Sequence, residues 1–398
     1  MKIVLASLLS LTLSLCLTAC GGGGGGGGDS TQVFTSTTTT TTTGENTHPI
    51  TVNGGPLGIP NLAFTSVTVC VPNTSQCQTI DNVIVDTGSV GLRLVPSALG
   101  SLNLPAQTAA NGNALFNCVE FVDLSHAWGP VRRADVKLSN YTASNIPIQV
   151  VGDVGSNSEP TSCGGGNSAD NLSTVASMGG NGIIGIGYFR EDCGVYCTYI
   201  SSNEYYFSCN NGCIQSVAAA NIQLQNPIAL FPSNNNGVIL DLPSVPSNGS
   251  LSVTGSIIFG IGTQSNNSLN GKTVFTTSSN GLITTQYKGT NYTYSFIDSG
   301  SNGLFFADSS IPSCTISTGF YCPASTLSLS GTIIGQNNST MSIPFSVANT
   351  ESLNGNFNAF NNLAGYLSGT FDWGLPFFYG RKVYTGFETD PQGPFTAF

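Results

Sequence analysis

The sequence predicts an all-β fold made of two related lobes with a central cleft. Only 8% of the 398 residues are charged and 49 are glycine, while Ser, Thr and Asn fill the spaces between short apolar runs. This composition is typical of short strands joined by turns. The length exceeds what one compact core usually holds. One strand-and-turn pattern also occurs twice, which indicates two homologous lobes.

The repeated pattern is an apolar strand followed by Asp-[Thr/Ser]-Gly-Ser-x-Gly-Leu. The first copy spans residues 82–92 and the second spans residues 294–304, an offset of 212 residues. Each copy resembles the active-site segment of pepsin-like aspartic proteases, which carries Asp-Thr-Gly or Asp-Ser-Gly. Two copies, each placed after an apolar strand, are far more specific than a single tripeptide.

Later segments extend the resemblance. Residues 182–188 are similar to the apolar segment with glycine that packs against the aspartate loop in that family, and residues 373–378 are similar to its second copy. Residues 255–262 resemble the strand that ends the first lobe. The resemblance covers roughly residues 50–398. It implies a bilobal, pepsin-like (acid protease) architecture with β lobes related by a pseudo-two-fold axis.

The first residues predict export. Lys2 precedes an apolar run, and Leu17-Thr18-Ala19-Cys20 matches the lipobox of bacterial lipoprotein signals. We expect a signal peptide at residues 1–19 and lipid attachment at Cys20; an ordinary secretory signal with an incidental cysteine is the alternative. Gly21 favours the outer over the inner membrane of a bacterial cell envelope. The leader and glycine run also resemble an uncharacterised family of bacterial lipoproteins, a domain of unknown function.

The remaining domain boundaries follow from composition. Residues 20–48 combine the lipidated cysteine with glycine and threonine runs that cannot bury apolar surface, so we expect a disordered linker. The N-terminal β lobe is predicted at residues 49–265 and the C-terminal β lobe at residues 266–398.

Ten cysteines remain after Cys16 and Cys20, and outside the cytoplasm an even number predicts disulfides. A zinc site in the 193–213 cluster is the alternative. This cluster reads as an insertion in the first lobe, followed by a helix at 214–224. The expected bridges are Cys70–Cys77, Cys118–Cys163, Cys314–Cys322 and, nested within the cluster, Cys193–Cys213 around Cys197–Cys209.

Asp86 and Asp298 are the predicted catalytic residues. Two adjacent carboxyls cannot both ionise cheaply, so the pair holds one shared proton. One carboxylate can then activate a water while the other protonates the substrate carbonyl, without a metal or cofactor. Gly88 and Gly300 are expected to let the two loops turn tightly.

The family resemblance assigns roles to the remaining residues of the two motifs. It implies that the Thr87 and Ser299 hydroxyls lock the two loops together. It further implies that Ser89 and Ser301 hydrogen-bond the aspartate carboxylates.

The candidate flap departs from the family pattern. Pepsin-like proteases cover the cleft with a hairpin that bears a tyrosine, and the corresponding stretch, about residues 118–137, contains none. Phe121 and Trp128 are the aromatic candidates for its place. This departure keeps open a non-catalytic, pepsin-fold binding lipoprotein, because one fold hosts many functions.

Composition excludes other classes. With a net charge of −10 and ten basic residues spread along the chain, nucleic acid is not an expected partner. The only two histidines, His48 in the predicted linker and His126, exclude a histidine-cluster metal site.

We therefore predict a monomeric, membrane-anchored aspartic endopeptidase that acts on polypeptides in an acid range. The alternatives are a lipoprotein that binds a protein ligand and an adhesin-like surface protein, which would lack the two-fold relation.

Overall fold

The computed structural model describes residues 44–155, 157–166 and 170–398. The predicted signal peptide, Cys20 and most of the predicted linker lie outside these residues. Residues 44–48 were assigned to the linker, and this was wrong: strand pairing sets His48 opposite Ile257. The His48 ring contacts the Ser139 hydroxyl and the Ser66 carbonyl, both at 2.9 Å. Antiparallel pairing thus orders the chain earlier than its composition suggests.

Strands make up most of the regular secondary structure of the described chain, in keeping with its β-branched and turn-rich composition. Strands of the first half are β1 Thr47–Val52, β2 Ala63–Cys70, β3 Cys77–Asp86, β4 Val90–Leu94, β5 Ala114–Glu120, β6 His126–Leu138, β7 Tyr141–Val150, β8 Gly182–Ile186, β9 Tyr206–Cys209, β10 Cys213–Gln215, β11 Gly237–Leu242 and β12 Val253–Phe259. Those of the second half are β13 Val274–Thr276, β14 Ile283–Tyr287, β15 Thr290–Ile297, β16 Leu304–Phe306, β17 Leu327–Ile334, β18 Thr340–Val347, β19 Ala364–Gly365, β20 Phe371–Trp373, β21 Arg381–Gly386 and β22 Phe395–Ala397. Two short α-helices, α1 Val175–Met178 and α2 Val195–Tyr199, interrupt them.

The strands form two sheets, one for the bulk of each lobe. A 15-stranded sheet contains β1–β12 together with β13, β21 and β22, and a seven-stranded sheet contains β14–β20. Strand β21 pairs with β11 along six residues, so the chain's C-terminal strands extend the sheet of the first lobe. The lobes are therefore joined by strand pairing as well as by side-chain packing.

Each lobe contains the same three-strand unit. In the first lobe, β8 lies between β3, to which it is parallel, and β4, to which it is antiparallel. In the second lobe, β20 lies in the same way between β15 and β16. The two-fold relation places one aspartate at the end of β3 and the other directly after β15. The predicted all-β, bilobal fold is confirmed, and the two-fold relation argues against the adhesin-like alternative.

The core explains why these strands are so apolar. Val85 and Ile184 from the first unit and Ile297 and Trp373 from the second are at most 3% exposed and belong to one continuous core cluster. Buried apolar surface of this kind is the main source of folding free energy, at about 25 cal/mol per Å². The same residues hold the aspartate loops on rigid supports. Among the described residues, no helix is long and apolar enough to cross a membrane.

In the described part of the chain, four disulfides join cysteines at most 8 residues apart, and Cys118–Cys163 spans 45 residues. Three expected bridges are present, Cys70–Cys77, Cys118–Cys163 and Cys314–Cys322. The nested arrangement expected for the insertion was wrong, because the structure pairs Cys193 with Cys197 and Cys209 with Cys213. Strands β9 and β10 form a hairpin in which Cys209 lies directly opposite Cys213, and this register decides the pairing.

The helix expected at residues 214–224 was also wrong. Strand β10 occupies the start of this segment, and only a short 3-10 turn, Ala220–Ile222, follows. Pairing with the edge of β9 replaces the helical hydrogen bonds, so tertiary context overrides local helix propensity.

Candidate functional site

The two predicted catalytic residues meet between the lobes. Asp86 and Asp298 are fully buried, and their carboxyls are hydrogen-bonded to each other. Each accepts two further hydrogen bonds from its own loop. The Gly88 amide donates to Asp86 at 2.7 Å and the Gly300 amide donates to Asp298 at 2.8 Å.

The serine hydroxyls that follow complete each carboxyl's set of donors. Ser89 donates to Asp86 Oδ2, and Ser301 donates to Asp298 Oδ2 at 2.6 Å. Each loop therefore fixes its own carboxyl with one backbone and one side-chain donor. A carboxyl held in this way cannot rotate out of its position without losing charge-assisted hydrogen bonds.

A reciprocal set of hydrogen bonds ties the two loops together. The Thr87 amide donates to Ser299 Oγ and the Ser299 amide donates to Thr87 Oγ1, both at 3.0 Å. Each hydroxyl then donates to a backbone carbonyl of the opposite lobe, Thr87 to Ile297 at 3.3 Å and Ser299 to Val85 at 2.8 Å. All four bonds are buried, so the lobes are held in register directly beneath the carboxyls.

The two motif glycines have a different role from the one expected. Neither Gly88 nor Gly300 has a positive φ, so a tight turn does not require glycine. A Cβ at Gly88 would lie 2.7 Å from Asp298 Oδ1, and one at Gly300 would lie 2.9 Å from the carboxyl of Asp86. Each glycine instead makes room for the carboxyl of the other lobe.

Burial and proximity control the protonation of the pair. Burial raises the pKa of Asp86 well above its ordinary value, and the negative charge of Asp298 and the hydrogen bond with it raise this pKa further. The donors Ser89 and Gly88 lower it in part. Asp86 therefore keeps a proton at a pH where an exposed aspartate would be ionised, which is the behaviour of a carboxyl pair that shares one proton.

A cleft of about 510 Å³ opens beside the pair. Its floor includes the residues that flank both aspartates, and its walls are mainly apolar and aromatic. None of the described residues that line it is charged. Such a lining suits apolar side chains or an uncharged backbone. The apolar and aromatic wall residues are Val90, Val122, Tyr188, Phe189, Leu282, Tyr294 and Phe296, and the polar ones are Asn280, Ser368 and Thr370.

The hairpin expected as a flap is present, formed by β5 and β6, but its aromatic candidates were wrong. Trp128 is fully buried between Phe116 and Phe207, with ring centroids 5.2 and 5.1 Å away. Phe121 is 5% exposed and packs in a separate core cluster. The hairpin residue that reaches the cleft is Val122, at the tip.

The insertion, residues 193–215, braces this hairpin. Strand β9 pairs with β5 along four residues, and β10 covers the outer edge of β9. The Cys118–Cys163 bridge ties the same hairpin to the segment between β7 and β8. The hairpin is thus part of a four-stranded, disulfide-linked arrangement instead of a free two-stranded one, which is only marginally stable alone.

A buried ion pair behind the hairpin was missed by the sequence analysis. Arg93 and Asp192 are each about 1% exposed, with a guanidinium-to-carboxylate distance of 3.5 Å. Tyr206 of the insertion and Asn117 of the hairpin also donate to Asp192, at 2.6 and 3.0 Å. Burial raises the pKa of Asp192 to about 6, opposed by the charge of Arg93. The network therefore links the insertion, the hairpin and the strand that leaves the first aspartate loop.

A third buried carboxyl, Asp372, was also missed. It lies in β20, next to the second aspartate loop, since the Asp298 amide donates to the carbonyl of Trp373 at 3.1 Å. It directly precedes residues 373–378, which resemble the apolar segment of the family. The signal available was the charged residue within an otherwise apolar motif.

Among the described residues, two groups of side chains have the spacing of metal ligands, and both contain disulfide-bonded cysteines. His126, Glu159 and Cys163 form one group; Cys314, Cys322 and Glu351 form the other. Cysteines in disulfides offer no thiolate, which removes the strongest zinc ligand from each. His126 instead lies 2.7 Å from Glu159, fully buried at the start of β6.

Comparisons with known proteins show the family of this chain. The model of the family described as "Protein of unknown function (DUF3443)" matches residues 42–398. No curated protein matches the sequence. Among solved structures, the crystal structure of aspartic proteinase from Irpex lacteus is similar over 88% of this chain and 96% of its own, with a TM-score of 0.46 and 16% identity.

Proposed function

We propose that this chain, which belongs to the DUF3443 family of proteins of unknown function, is an aspartic endopeptidase. The observation that carries the proposal is the hydrogen-bonded pair Asp86 and Asp298, held by donors related by a two-fold axis beside an uncharged cleft. In this mechanism the pair holds one proton. The ionised carboxyl removes a proton from a water, and the protonated carboxyl donates to the oxygen of the scissile carbonyl.

The surrounding residues support each step of this chemistry. The amides of Gly88 and Gly300 and the hydroxyls of Ser89 and Ser301 stabilise the ionised form of the pair. The Thr87 and Ser299 bonds keep the carboxyls within contact, and such fixed positioning is a large part of catalysis. The mainly apolar cleft, which Val122 of the hairpin helps to line, suits an extended polypeptide.

The proposed cellular setting rests on the sequence of residues 1–20. Cleavage before Cys20 and lipidation of that residue would anchor the protein in the bacterial envelope, with the peptidase facing a compartment where disulfides persist. Replacement Cys20→Ala is expected to move the protein from the membrane fraction to the soluble fraction of cells. Retention of the variant in the membrane fraction would contradict lipid anchoring without bearing on the peptidase.

The peptidase is tested by incubating the purified protein with a reduced, unfolded protein at acid pH. We expect peptide products that disappear in Asp298→Asn. Asp153→Asn, which removes one exposed carboxyl from a surface pair with Arg132, is the charge-matched control and should cleave normally. Equal cleavage by the wild type and Asp298→Asn would contradict the proposal.

One observation favours the alternative of a non-catalytic binding protein. The carboxyls of Asp86 and Asp298 have no exposed surface, so a substrate must uncover them before a water can be activated between them. A binding protein with this fold would retain the apolar cleft and cleave nothing. An apolar peptide that binds the wild type and Asp298→Asn with equal affinity, while neither protein cleaves, would support this alternative.

A further inference from the structure

Asp372 occupies a position that is apolar in the other lobe. In β20 it lies opposite Phe296 of β15 and Phe305 of β16. The equivalent position in the first lobe is Ile183 of β8, opposite Ile84 and Arg93. The fold therefore does not require a carboxyl at this site, and an apolar side chain would serve the packing.

The Asp372 carboxyl is fully buried, and neither of its oxygens has a hydrogen bond of good geometry among the described residues. Burial raises its pKa well above the ordinary value, and the negative charges of Asp298 and Asp86 raise it further. Donation from the Ser301 hydroxyl to the ionised Asp372 carboxyl would lower this pKa. The side chains opposite it on both neighbouring strands are phenylalanines. Among the described residues, the charges that shift the pKa of Asp372 are therefore those of the dyad.

Ser301 links this carboxyl to the dyad. A hydroxyl has one proton to donate and two lone pairs to accept with. Ser301 donates its proton to Asp298 Oδ2 at 2.6 Å. Toward Asp372 it can then only accept, so the two side chains form a hydrogen bond only when Asp372 carries the proton. An ionised Asp372 would instead compete with Asp298 for the single hydroxyl proton.

We propose that Asp372 is a positioning residue of the dyad: its carboxyl proton, donated to Ser301, commits the Ser301 hydroxyl to Asp298, and loss of that proton to solvent ends the active state. This inference rests on the proposed peptidase function and names the residue that ionises before the dyad loses its shared proton, so that it moves the alkaline limit to lower pH. It adds a third carboxyl, which does not touch the substrate, to the two that do.

Two substitutions separate the proton from the packing. Asp372→Asn keeps a hydrogen-bond donor that cannot ionise, and Asp372→Leu copies the apolar residue type of the other lobe and removes the donor. For the purified full chain, kcat/KM is measured from pH 3 to 8 on an unfolded protein substrate. We expect Asp372→Asn to stay within a few-fold of wild type in acid and to remain active at least about one pH unit further toward alkaline pH.

The donor itself is tested by Asp372→Leu. We expect kcat to fall roughly tenfold at every pH, the size of one lost hydrogen bond, with KM little changed. Asp153→Asn controls for the loss of one negative charge and should leave the whole profile unchanged. Coincident alkaline limbs for wild type and Asp372→Asn, or equal kcat for the Asn and Leu variants, would overturn the proposal.

A second measurement does not need activity. Because Asp372 holds its proton in the folded protein and releases it near pH 4 when unfolded, this residue lowers the stability of the folded state as pH rises above about 4. The unfolding temperatures of Asp372→Asn and Asp372→Leu should therefore fall less steeply with rising pH than that of the wild type. Parallel unfolding curves would refute the buried proton. If the wild type cleaves nothing but the unfolding curves of wild type and variants diverge with pH, the peptidase function is refuted and the buried proton of Asp372 is not.

Discussion

At the residue scale, the site is made of pairs that repeat across a two-fold axis. Asp, Thr or Ser, Gly and Ser recur with the same spacing, and each type makes the same hydrogen bond in both lobes. The family resemblance implies the contacts of the hydroxyls, while the hydrogen bonds from the Gly88 and Gly300 amides were not predicted. What the motif does not reveal is the reason for glycine, which depends on the distance to the opposite carboxyl.

The loop-to-loop bonds are tested by Thr87→Val, which keeps the shape of the side chain and removes its hydroxyl. Two buried hydrogen bonds disappear and the Ser299 amide loses its acceptor, so we expect a loss of about 2–4 kcal/mol in the free energy of unfolding. Misplaced carboxyls should lower kcat/KM about a hundredfold. Thr87→Ser, which keeps the hydroxyl, is the control. Equal activity of the two variants would show that the hydroxyl is dispensable.

The glycine requirement is tested by Gly88→Ala. Its Cβ would lie 2.7 Å from Asp298 Oδ1, so the carboxyls must separate and activity should be lost. Gly355→Ala is the matched control, since a Cβ there meets nothing within 4 Å and the glycine has no positive φ. Both variants are assayed for cleavage and for thermal unfolding. Wild-type activity in Gly88→Ala would contradict the close approach of the two lobes.

At the element scale, the insertion is explained by strand pairing. Strands β9 and β10 widen the sheet of the hairpin, and the Asp192 network ties Tyr206 of the insertion to Asn117 of the hairpin. The sequence could not predict this arrangement, because cysteine spacing fits several connectivities and register decides among them. The buried partners Arg93 and Asp192 are far apart in sequence, and a single charged residue in an apolar strand does not identify the residue that it pairs with.

The buried network predicts a large effect of Asp192→Ala. It leaves the Arg93 guanidinium buried without its counter-ion, which costs about 3–5 kcal/mol in the free energy of unfolding. Asp153→Ala breaks the surface pair in which Arg132 is 27% exposed and Asp153 is 46% exposed. This change should lower the free energy of unfolding by less than about 1 kcal/mol. Denaturant unfolding compares the two. Equal losses would mean that the Asp192 network does not hold the hairpin.

At the scale of the whole molecule, the repeat and the composition predict the all-β, two-lobed fold because both follow from local pattern. The sequence does not predict that β13, β21 and β22 join the sheet of the first lobe, since edge pairing of distant strands leaves no local signal. Nor does it predict a third carboxyl at the dyad. Asp372 reaches Ser301 only because β20 lies between β15 and β16.

The buried acids predict how stability depends on pH. The pKa values of Asp86, Asp192 and Asp372 are raised in the folded state, so folding stability falls as pH rises above about 4. Asp308, whose pKa is lowered by hydrogen bonds from Lys288 and Ser310 despite its desolvation, makes stability fall in stronger acid.

Burial lowers the pKa of His48, so this residue makes folding stability rise with pH up to about 6.5. Its effect is opposite to that of the three acids and is smaller, because it is a single group. We therefore expect the highest unfolding temperature between about pH 4 and 6. Thermal unfolding from pH 3 to 8 measures it. A steady rise toward pH 8 would contradict the protonation of the buried acids.

The central claim is that Asp86 and Asp298 act as one unit that works with a single shared proton. The measurement that tests it most directly is kcat/KM against pH for cleavage of an unfolded protein, in wild type, Asp86→Asn and Asp298→Asn. We expect a bell-shaped profile centred in the acid range for wild type and no cleavage by either variant at any pH. A profile without an alkaline limb, or a variant that keeps wild-type activity, would contradict it.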